Sequence, residues 1–289
     1  MDAIETVTAL PRLPPRAPDS NKGHFGRILV VAGSRGMSGA AVLCASAAMR
    51  AGAGLVKASF PAEIVPIVAA GNPCYTTAAL PQDAEGRIAL SAFNSLASLS
   101  AAHDVVAVGP GIDRSAELSA LMVELVTKIP NPMVIDADGL NAFAGQAEKL
   151  RCEEFSRIIT PHPGEFARLL QVETKTVQAQ RRERAVEFAR AQNCVVVLKG
   201  QGTVVTDGQR VYQNATGNPG MAKGGAGDVL TGVIAAFLGQ HLAPFEAAQL
   251  GVYLHGLAGD LARDQIGEVS LLATDLLDFL PAAIRQHQG

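Results

Sequence analysis

The sequence predicts an α/β protein with a mostly parallel central sheet that is covered by helices on both faces. Two observations lead to this prediction. Short β-branched apolar runs recur along the 289 residues, and each is closed by a glycine, a proline or a polar residue. Longer segments with a helical spacing of apolar residues lie between these runs. Strands and helices that alternate in this way form parallel sheets, whose strands are buried on both faces.

The same patterns give the individual elements. The predicted strands are residues 27–32, 55–59, 105–108, 133–135, 158–160 and 195–198. The predicted helices are residues 38–53, 89–99, 116–128, 165–170, 176–192 and 227–239, together with most of the chain after 244. Residues 203–212 differ, because two β-rich runs flank Asp207-Gly208, the usual composition of a tight turn. We therefore expect a small antiparallel hairpin near the edge of the sheet.

The chain divides at about residue 21. We expect one catalytic domain over residues 22–289, preceded by an extended N-terminal arm over residues 1–21. The arm contains a proline-rich run at residues 10–15 and no apolar segment with basic flanks. The sequence therefore predicts neither a signal peptide nor a membrane span in this arm.

The composition limits the partners and the compartment. Charged residues make up 18% of the chain, the net charge is −3 and the pI is near 6.1, so we expect neither nucleic acid nor an anionic membrane as a partner. The four cysteines are scattered without a Cys-x-x-Cys pair, which is typical of reduced thiols in a cytosolic protein. We expect a cytoplasmic location, and neither a zinc site nor thiol catalysis.

The junction at residues 218–228 is the most informative feature of the chain. A glycine-rich loop passes there into the apolar helix that follows. The first amides of a helix have no partner within it and carry a partial positive charge, so Gly225, Ala226 and Gly227 are predicted to bind an anion. Asp228 lies at this site and is the candidate base. An acidic residue here also stabilises a helix by about 0.3–1 kcal/mol, but that gain does not explain three glycines, which cost backbone entropy.

Two further loops offer bare backbone at predicted strand ends. The first comprises Lys199, Gly200, Gln201, Gly202 and Thr203, a composition that suits the phosphates or ribose of a nucleotide. The second, residues 33–39, has glycines spaced G-x-x-G-x-x-G, which is neither the dinucleotide fingerprint nor a P-loop. This loop is either a turn before a tightly packed helix or a cover over a substrate.

Other polar residues follow strands at the same predicted edge, where ligands gather in open parallel sheets. His162 is held between two prolines, so it is either a positioned ligand contact or the cap of the helix that follows. Asp136 and Asp138 either orient a metal-bound water or cap the next turn, and we favour the capping role.

These motifs resemble those of the ribokinase-like superfamily, and within it they are most similar to the ADP-dependent NAD(P)H-hydrate dehydratases. The segments that carry the resemblance are residues 23–54, 109–111, 136–140, 160–166, 199–200 and 218–228. The resemblance implies a three-layer α/β/α fold. It also implies repair of NADH or NADPH: the S-epimer of the hydrated cofactor would be dehydrated, and ADP would be converted into AMP and phosphate.

The resemblance also implies the roles of individual residues. The nucleotide would be bound by Lys199, Gly200, Gln201, Gly202, Thr203 and Gly227. The hydrated cofactor would be bound by Ala41, Gly111, His162 and Asp228. Mg²⁺ would be held mainly by the phosphates, with no protein residue assigned as its ligand. The expected partners are these small molecules and further copies of the same chain in a homo-oligomer.

Two features depart from the family pattern. Many relatives carry an epimerase domain ahead of this one, and residues 1–21 are too few to hold it, so we expect the epimerase activity in a separate protein. After Gly111 the chain has Ile112-Asp113, where a further glycine is usual.

The mechanism that these residues suggest is phosphoryl transfer. Asp228 would accept the proton of the ring hydroxyl while the hydroxyl oxygen attacks the terminal phosphoryl group. The amides of Gly225, Ala226 and Gly227 would bind the negative charge that develops on the phosphoryl group. A kinase of the same fold that acts on a sugar or vitamin alcohol needs the same groups and is the alternative. A non-catalytic adenylate-binding protein is less favoured, because pure binding gains nothing from a base that faces phosphate.

Overall fold

The computed structural model describes residues 4–289, and its centre is a ten-stranded sheet. The strands are β1 (Glu5–Thr6), β2 (Arg27–Val31), β3 (Leu55–Pro61), β4 (Thr76–Leu80), β5 (Val105–Val108), β6 (Met133–Ile135), β7 (Arg157–Ile159), β8 (Val195–Leu198), β9 (Val204–Thr206) and β10 (Arg210–Gln213). The helices are α1 (Ser38–Arg50), α2 (Val65–Gly71), α3 (Phe93–Ser100), α4 (Ala116–Lys128), α5 (Asp138–Asn141), α6 (Pro163–Leu170), α7 (Thr174–Ala179), α8 (Arg181–Gln192), α9 (Ala226–Gly239), α10 (Pro244–Ile266) and α11 (Ala273–Gln288).

The strand order is β1-β10-β9-β8-β7-β6-β5-β2-β3-β4. All neighbouring pairs are parallel except the two that β9 makes with β8 and β10. From β2 the chain first builds outward through β3 and β4, and then returns to the other side of β2 with β5. The crevice outside the carboxyl ends of β2 and β5 is therefore the switch point at which such sheets bind ligands.

The two faces of the sheet bury separate cores. Along β2, the side chains of Ile28 and Val30 point to one core, and those of Leu29 and Val31 to the other. Helices α1, α2, α9, α10 and α11 cover the first face, and α3 to α8 cover the second. These layers confirm the predicted α/β/α architecture, and β9 and β10 form the predicted hairpin near the edge.

Helix α9 lies against α1 with very little space between their backbones. A Cβ added to Gly232 would clash with the carbonyl oxygen of Cys44 and would lie 2.9 Å from the Cβ of Ala47. Gly232 and Ala47 therefore allow α9 to pack closely against α1. In this position the first turn of α9 reaches the carboxyl ends of the strands.

Several local details differ from the sequence predictions. The edge strand β4 is missing from them, because its sequence Thr-Thr-Ala-Ala-Leu has only one large apolar residue. The predicted helix 176–192 is two helices separated at Gln180, where φ is −135° and neither glycine nor proline marks the break. Helix α1 ends at Arg50 rather than at residue 53.

The described part of the N-terminal arm packs on its own chain. Glu5 and Thr6 pair with β10 and extend the sheet by one short parallel strand. Further along, Leu10 and Leu13 pack against the first core. The guanidinium of Arg16 lies 3.8 Å from the ring centroid of Phe25. The first three residues of the predicted arm lie outside the described part of the chain. Within residues 4–289, no helix has the length and apolar character that crossing a membrane requires.

We expect Gly232→Ala to lower the free energy of unfolding by about 1–3 kcal/mol, because the added methyl group overpacks the contact between α1 and α9. Urea unfolding followed by circular dichroism measures this change. The matched control is Gly39→Ala in α1, where an added Cβ meets nothing within 4 Å. This control should gain about 0.5–1 kcal/mol in stability, and equal destabilisation of both variants would contradict the close packing.

Candidate active site

The site is built around the first turn of α9. Gly225 precedes the helix with φ at +92°, a left-handed conformation that side chains disfavour, and an added Cβ would lie 2.6 Å from Leu43 Cδ1. The next amides, those of Ala226 and Gly227, point out of the helix end. Within the described residues, none of these three amides donates to a protein acceptor. The helix therefore presents a cluster of free N–H donors to a ligand.

Asp228 lies beside these amides and is only partly exposed. Burial raises the pKa of Asp228 to about 7, and the negative charge of Asp136 adds to this shift. Lys199 acts in the opposite direction. A carboxylate with this proton affinity can accept a proton near neutral pH and release it again, as a general base requires.

Asp136 lies directly after β6 and is 1% exposed. Its Oδ1 accepts a hydrogen bond from Lys199 Nζ at 2.7 Å, and its Oδ2 accepts one from Thr231 Oγ1 at 2.8 Å. Burial would lower the pKa of Lys199, but the charges of Asp136, Glu165 and Asp228 outweigh it and raise that pKa. Lys199 is therefore a permanent cation within the site.

Lys199 opens the loop that the sequence predicted as a nucleotide contact. An ideal Cβ on Gly227 would be 3.3 Å from Lys199 Nζ, so this loop and the start of α9 are adjacent. The backbone of the loop is held by Arg181, whose guanidinium donates to the carbonyl oxygens of Leu198, Lys199 and Gln201. Thr203 Oγ1 closes the loop with a hydrogen bond of 2.8 Å to Gly200 O. Gly202 lies between these two residues.

His162 caps helix α6. Its Nδ1 accepts hydrogen bonds from the amides of Gly164 and Glu165, and the Glu165 carboxylate accepts one from the amide of His162. Burial lowers the pKa of His162, although Glu165 opposes this shift. With Nδ1 occupied as an acceptor, the neutral ring carries its proton on Nε2. The side chain is 50% exposed, and its Nε2 lies 3.3 Å from Glu165 Oε1.

The loops after β2 and β5 meet at the switch point. Ser34 Oγ donates a hydrogen bond of 2.9 Å to Gly111 O, and an ideal Cβ on Gly111 would be 2.7 Å from Ala40 Cβ. Gly111 and Ala40 are both partly exposed, so they border the crevice. Ala41, the residue assigned by resemblance, is 0% exposed and lies beneath the loop. Ala40 is therefore the exposed neighbour at this point of α1.

The position at which the family usually has a glycine adopts a conformation suited to glycine. Asp113 has φ at +68°, and its amide donates a hydrogen bond of 3.2 Å to Asp138 Oδ2. Aspartate is one of the few residues that tolerate left-handed backbone, so the loop keeps its shape without glycine. Asp138 also binds Arg114 at 3.0 Å, and no side chain of the described residues caps the turn into Leu140, so the capping role favoured from the sequence is wrong.

Sequence reasoning missed two functional candidates and gave one the wrong weight. Asp136 was considered only as a metal or capping group, although it is the central partner of Lys199. Thr231 and His255 were not assigned to the site. His255 Nε2 donates a hydrogen bond of 2.8 Å to Ala226 O, and burial lowers the pKa of His255 to about 4, so it supports the first turn of α9 as a neutral ring.

One further cavity lies apart from this site. A cavity of about 230 Å³ at the opposite edge of the sheet is lined by none of the predicted site residues. Among residues 4–289, no cluster of three or more His, Cys, Asp or Glu side chains is arranged to hold a metal ion.

A mostly parallel sheet with helices on both faces, and a bare helix start beside a carboxylate at its carboxyl edge, define this protein as a ribokinase-like α/β protein. Comparison with known proteins identifies the family more narrowly. The chain belongs to the NAD(P)H-hydrate dehydratase family, whose sequence profile matches residues 28–282.

Individual relatives agree with this assignment. The chain is 40% identical over 277 residues to an ADP-dependent (S)-NAD(P)H-hydrate dehydratase of Neisseria meningitidis, covering 93% of this chain and 87% of that protein. It is 46% identical over 276 residues to a bifunctional NAD(P)H-hydrate repair enzyme of Moorella thermoacetica, covering 95% of this chain and 52% of that enzyme. This chain thus spans about half the length of the bifunctional relatives that it matches.

A solved structure shows the same fold. The ADP/ATP-dependent NAD(P)H-hydrate dehydratase of Bacillus subtilis, co-crystallised with ATP and Mg²⁺, superposes with a TM-score of 0.83 at 34% identity. The match covers 95% of this chain and 94% of the Bacillus chain.

We expect the stability of Asp228→Asn relative to wild type to be greater at pH 8 than at pH 4. Because its pKa of about 7 lies above 3.8, the ordinary value for an aspartate, Asp228 binds a proton more tightly in the folded state than in the unfolded chain. Its contribution to stability is therefore complete below about pH 4 and is lost as the pH rises to about 7. The free energy of unfolding of the variant minus that of wild type should increase by on the order of 2 kcal/mol across this range, after allowance for partial exposure.

Urea unfolding at several pH values measures this difference. Asp278→Asn is the control, because that side chain is 68% exposed on α11, and it should follow the wild-type pH dependence. A constant offset between Asp228→Asn and wild type from pH 4 to 8 would rule out the raised pKa.

Proposed function

We propose that this chain catalyses the ADP-dependent dehydration of the S-epimer of hydrated NADH or NADPH. The products are the restored reduced cofactor, AMP and phosphate, and residues 22–289 form the catalytic domain. The observation that carries the proposal is Asp228, a partly exposed carboxylate whose pKa is raised to about 7 beside free helix amides. The Neisseria relative, an ADP-dependent (S)-NAD(P)H-hydrate dehydratase, supports the substrate.

The nucleotide is proposed to bind along the loop of Lys199, Gly200, Gln201, Gly202 and Thr203. Its terminal phosphate would lie at the amides of Gly225, Ala226 and Gly227. The proximity of Lys199 Nζ to Gly227 supports this path, because it joins the loop to the helix start. Free amides and a fixed ammonium favour the charge that develops on a transferred phosphoryl group.

The hydrated cofactor is proposed to occupy the crevice on the other side of Asp228. Gly111 and the exposed imidazole of His162 border this space. Ala41 was assigned to the same site but is buried, and we propose that its partly exposed neighbour on α1, Ala40, borders the cofactor instead. In this arrangement the ring hydroxyl faces the carboxylate.

The chemistry then proceeds in two steps. Asp228 accepts the proton of the ring hydroxyl while the hydroxyl oxygen attacks the terminal phosphorus of ADP, and AMP leaves. The ring nitrogen then expels the phosphate, which carries the former hydroxyl oxygen, and loss of a proton from the adjacent ring carbon restores the double bond. Phosphorylation is needed because hydroxide is a poor leaving group and phosphate is a good one.

Mg²⁺ is proposed to arrive with the nucleotide. This ion keeps several waters and binds phosphates readily, and it would neutralise part of the charge on the transferred group. The co-crystallisation of the Bacillus relative with ATP and Mg²⁺ supports such a complex. The cytoplasmic location and the homo-oligomeric state expected from the sequence stay predictions.

We expect the wild-type chain to restore the absorbance of reduced nicotinamide when it is given hydrated NADH, ADP and Mg²⁺, with one AMP and one phosphate released per turnover. Asp228→Asn should lose on the order of 100-fold or more in kcat, because it removes the general base. Asp278→Asn on the exposed face of α11 should retain the wild-type rate. A coupled assay of absorbance and phosphate release measures all three.

Three results would contradict the proposal or its assignment of the base. A stable phosphorylated product would identify a kinase that acts on the alcohol without elimination. Tight ADP binding without turnover of the hydrated cofactor would indicate a binding protein. Near-normal turnover by Asp228→Asn would show that another group is the base.

A further inference from the structure

Lys199 binds one carboxylate, that of Asp136, and lies next to the first turn of α9, which carries a second one, since an ideal Cβ on Gly227 would be 3.3 Å from Lys199 Nζ. Its ammonium is 2.7 Å from Asp136 Oδ1, and it also feels the charge of Asp228, the proposed base. Had Lys199 paired with Asp228 instead, that carboxylate would be held as an ion pair and would accept a proton less readily. The pairing of Lys199 therefore bears directly on the reactivity of Asp228.

The structure fixes Asp136 firmly at the end of β6. Its amide donates a hydrogen bond of 3.0 Å to Val108 O, and Thr231 Oγ1 occupies the carboxylate oxygen that Lys199 leaves free. The residue after it, Ala137, has φ at +50° and ψ at −122°, a sharp turn that ends the strand at this carboxylate. The carboxylate thus has two donors from β8 and α9 and little freedom to move.

Stability alone does not explain this buried pair. Ion pairs removed from water contribute little net stability, because desolvation offsets their attraction. A buried negative charge behind an anion site also weakens anion binding, so Asp136 opposes the task of the surrounding amides. A role in arranging the other charged groups accounts for its presence at this position.

The remaining groups around Asp228 carry little charge near neutral pH. Burial raises the pKa of the Cys44 thiol on α1 and lowers that of His255 on α10 to about 4, so both are neutral. The negative charge of Asp138 also raises the pKa of Asp228, but by less than that of Asp136. Asp136 and Lys199 are therefore the two charged side chains that dominate the surroundings of the base.

We propose that Asp136 is a positioning residue that binds Lys199 Nζ and so keeps this ammonium from pairing with the carboxylate of Asp228. This inference deepens the proposed function and rests on it. The negative charge of Asp136 itself also raises the pKa of Asp228, so Asp136 acts on the base both directly and through Lys199.

The test combines neutral variants of Asp136 with the removal of Lys199. Asp136→Asn keeps the shape, since its amide oxygen can accept from Lys199 and its amide nitrogen can donate to the Thr231 hydroxyl. Freed from its counter-charge, Lys199 should then pair with Asp228. We expect kcat to fall about 10–100-fold and the acid limb of the pH–kcat profile to move to lower pH. The dissociation constant for ADP should not increase, because a negative charge has been removed from the phosphate site.

Adding Lys199→Met to Asp136→Asn should reverse the pH shift, since the ammonium that captured Asp228 is gone. The acid limb of the double variant is expected at higher pH than that of Asp136→Asn alone. If Lys199 did not move to Asp228, Lys199→Met would shift the acid limb equally in the wild-type and Asp136→Asn backgrounds, and that result would overturn the proposal. Circular dichroism and thermal unfolding confirm the fold of each variant, and Asp136→Ser replaces the asparagine variant should that one not fold.

A second readout does not need turnover. In protein labelled with ¹³C at the aspartate carboxyl carbons, the resonance lost in Asp228→Asn identifies Asp228. Its titration should move to lower pH in Asp136→Asn and back upward in the double variant. An unchanged Asp228 titration in Asp136→Asn would overturn the positioning role, even in a protein that turns over hydrated NADH. Lack of turnover by wild type, with these NMR shifts present, would instead overturn only the proposed function.

Discussion

The buried carboxylate of Asp136 is the constraint on which the rest of the site depends. At 1% exposure it must be hydrogen-bonded, and its two donors come from the end of β8 and from the second turn of α9. These bonds draw together three elements that are far apart in the sequence. The start of α9, the loop that begins at Lys199 and strand β6 thereby acquire a fixed mutual position, and the free amides of α9 face the carboxyl edge of the sheet.

The packing of the first core serves the same arrangement. Small residues let α9 lie against α1, and this close approach places the apolar body of α9 over β5, β6 and β2. The first turn of the helix then projects over the strand ends, where Asp228 is partly enclosed. Burial of that carboxylate is unfavourable for folding at neutral pH, and the large apolar core surrounding it supplies the compensating stability.

Much of the fold could be predicted from the sequence, because apolar runs closed by glycine or proline mark buried parallel strands. The bounds of β6, β8 and α4 were predicted without error for this reason. Strand β4 was missed since an edge strand of threonine and alanine carries no such signal. The break before Arg181 was missed as well, because that residue interacts with a loop that follows much later in the chain.

The residues of the candidate site likewise differ in how far the sequence alone reveals them. The bare amides and Asp228 are contiguous in sequence, so the pattern of glycines reveals them. The partnership of Asp136 with Lys199 joins residues 63 positions apart, and a single sequence contains no trace of such a contact. His162 shows a third situation: the structure confirms the capping role, while the ligand contact by this half-exposed ring stays a prediction.

The short strand β1 has a consequence for the outer margin of the sheet. An unpaired margin offers a row of backbone donors and acceptors to any extended peptide, and natural proteins shield such rows to avoid self-association. Here Glu5 and Thr6 occupy the exposed side of β10 at Arg210 and Val211. Residues Glu5 and Thr6 thus cover the hairpin, and a variant that lacks them would leave that row open to intermolecular pairing.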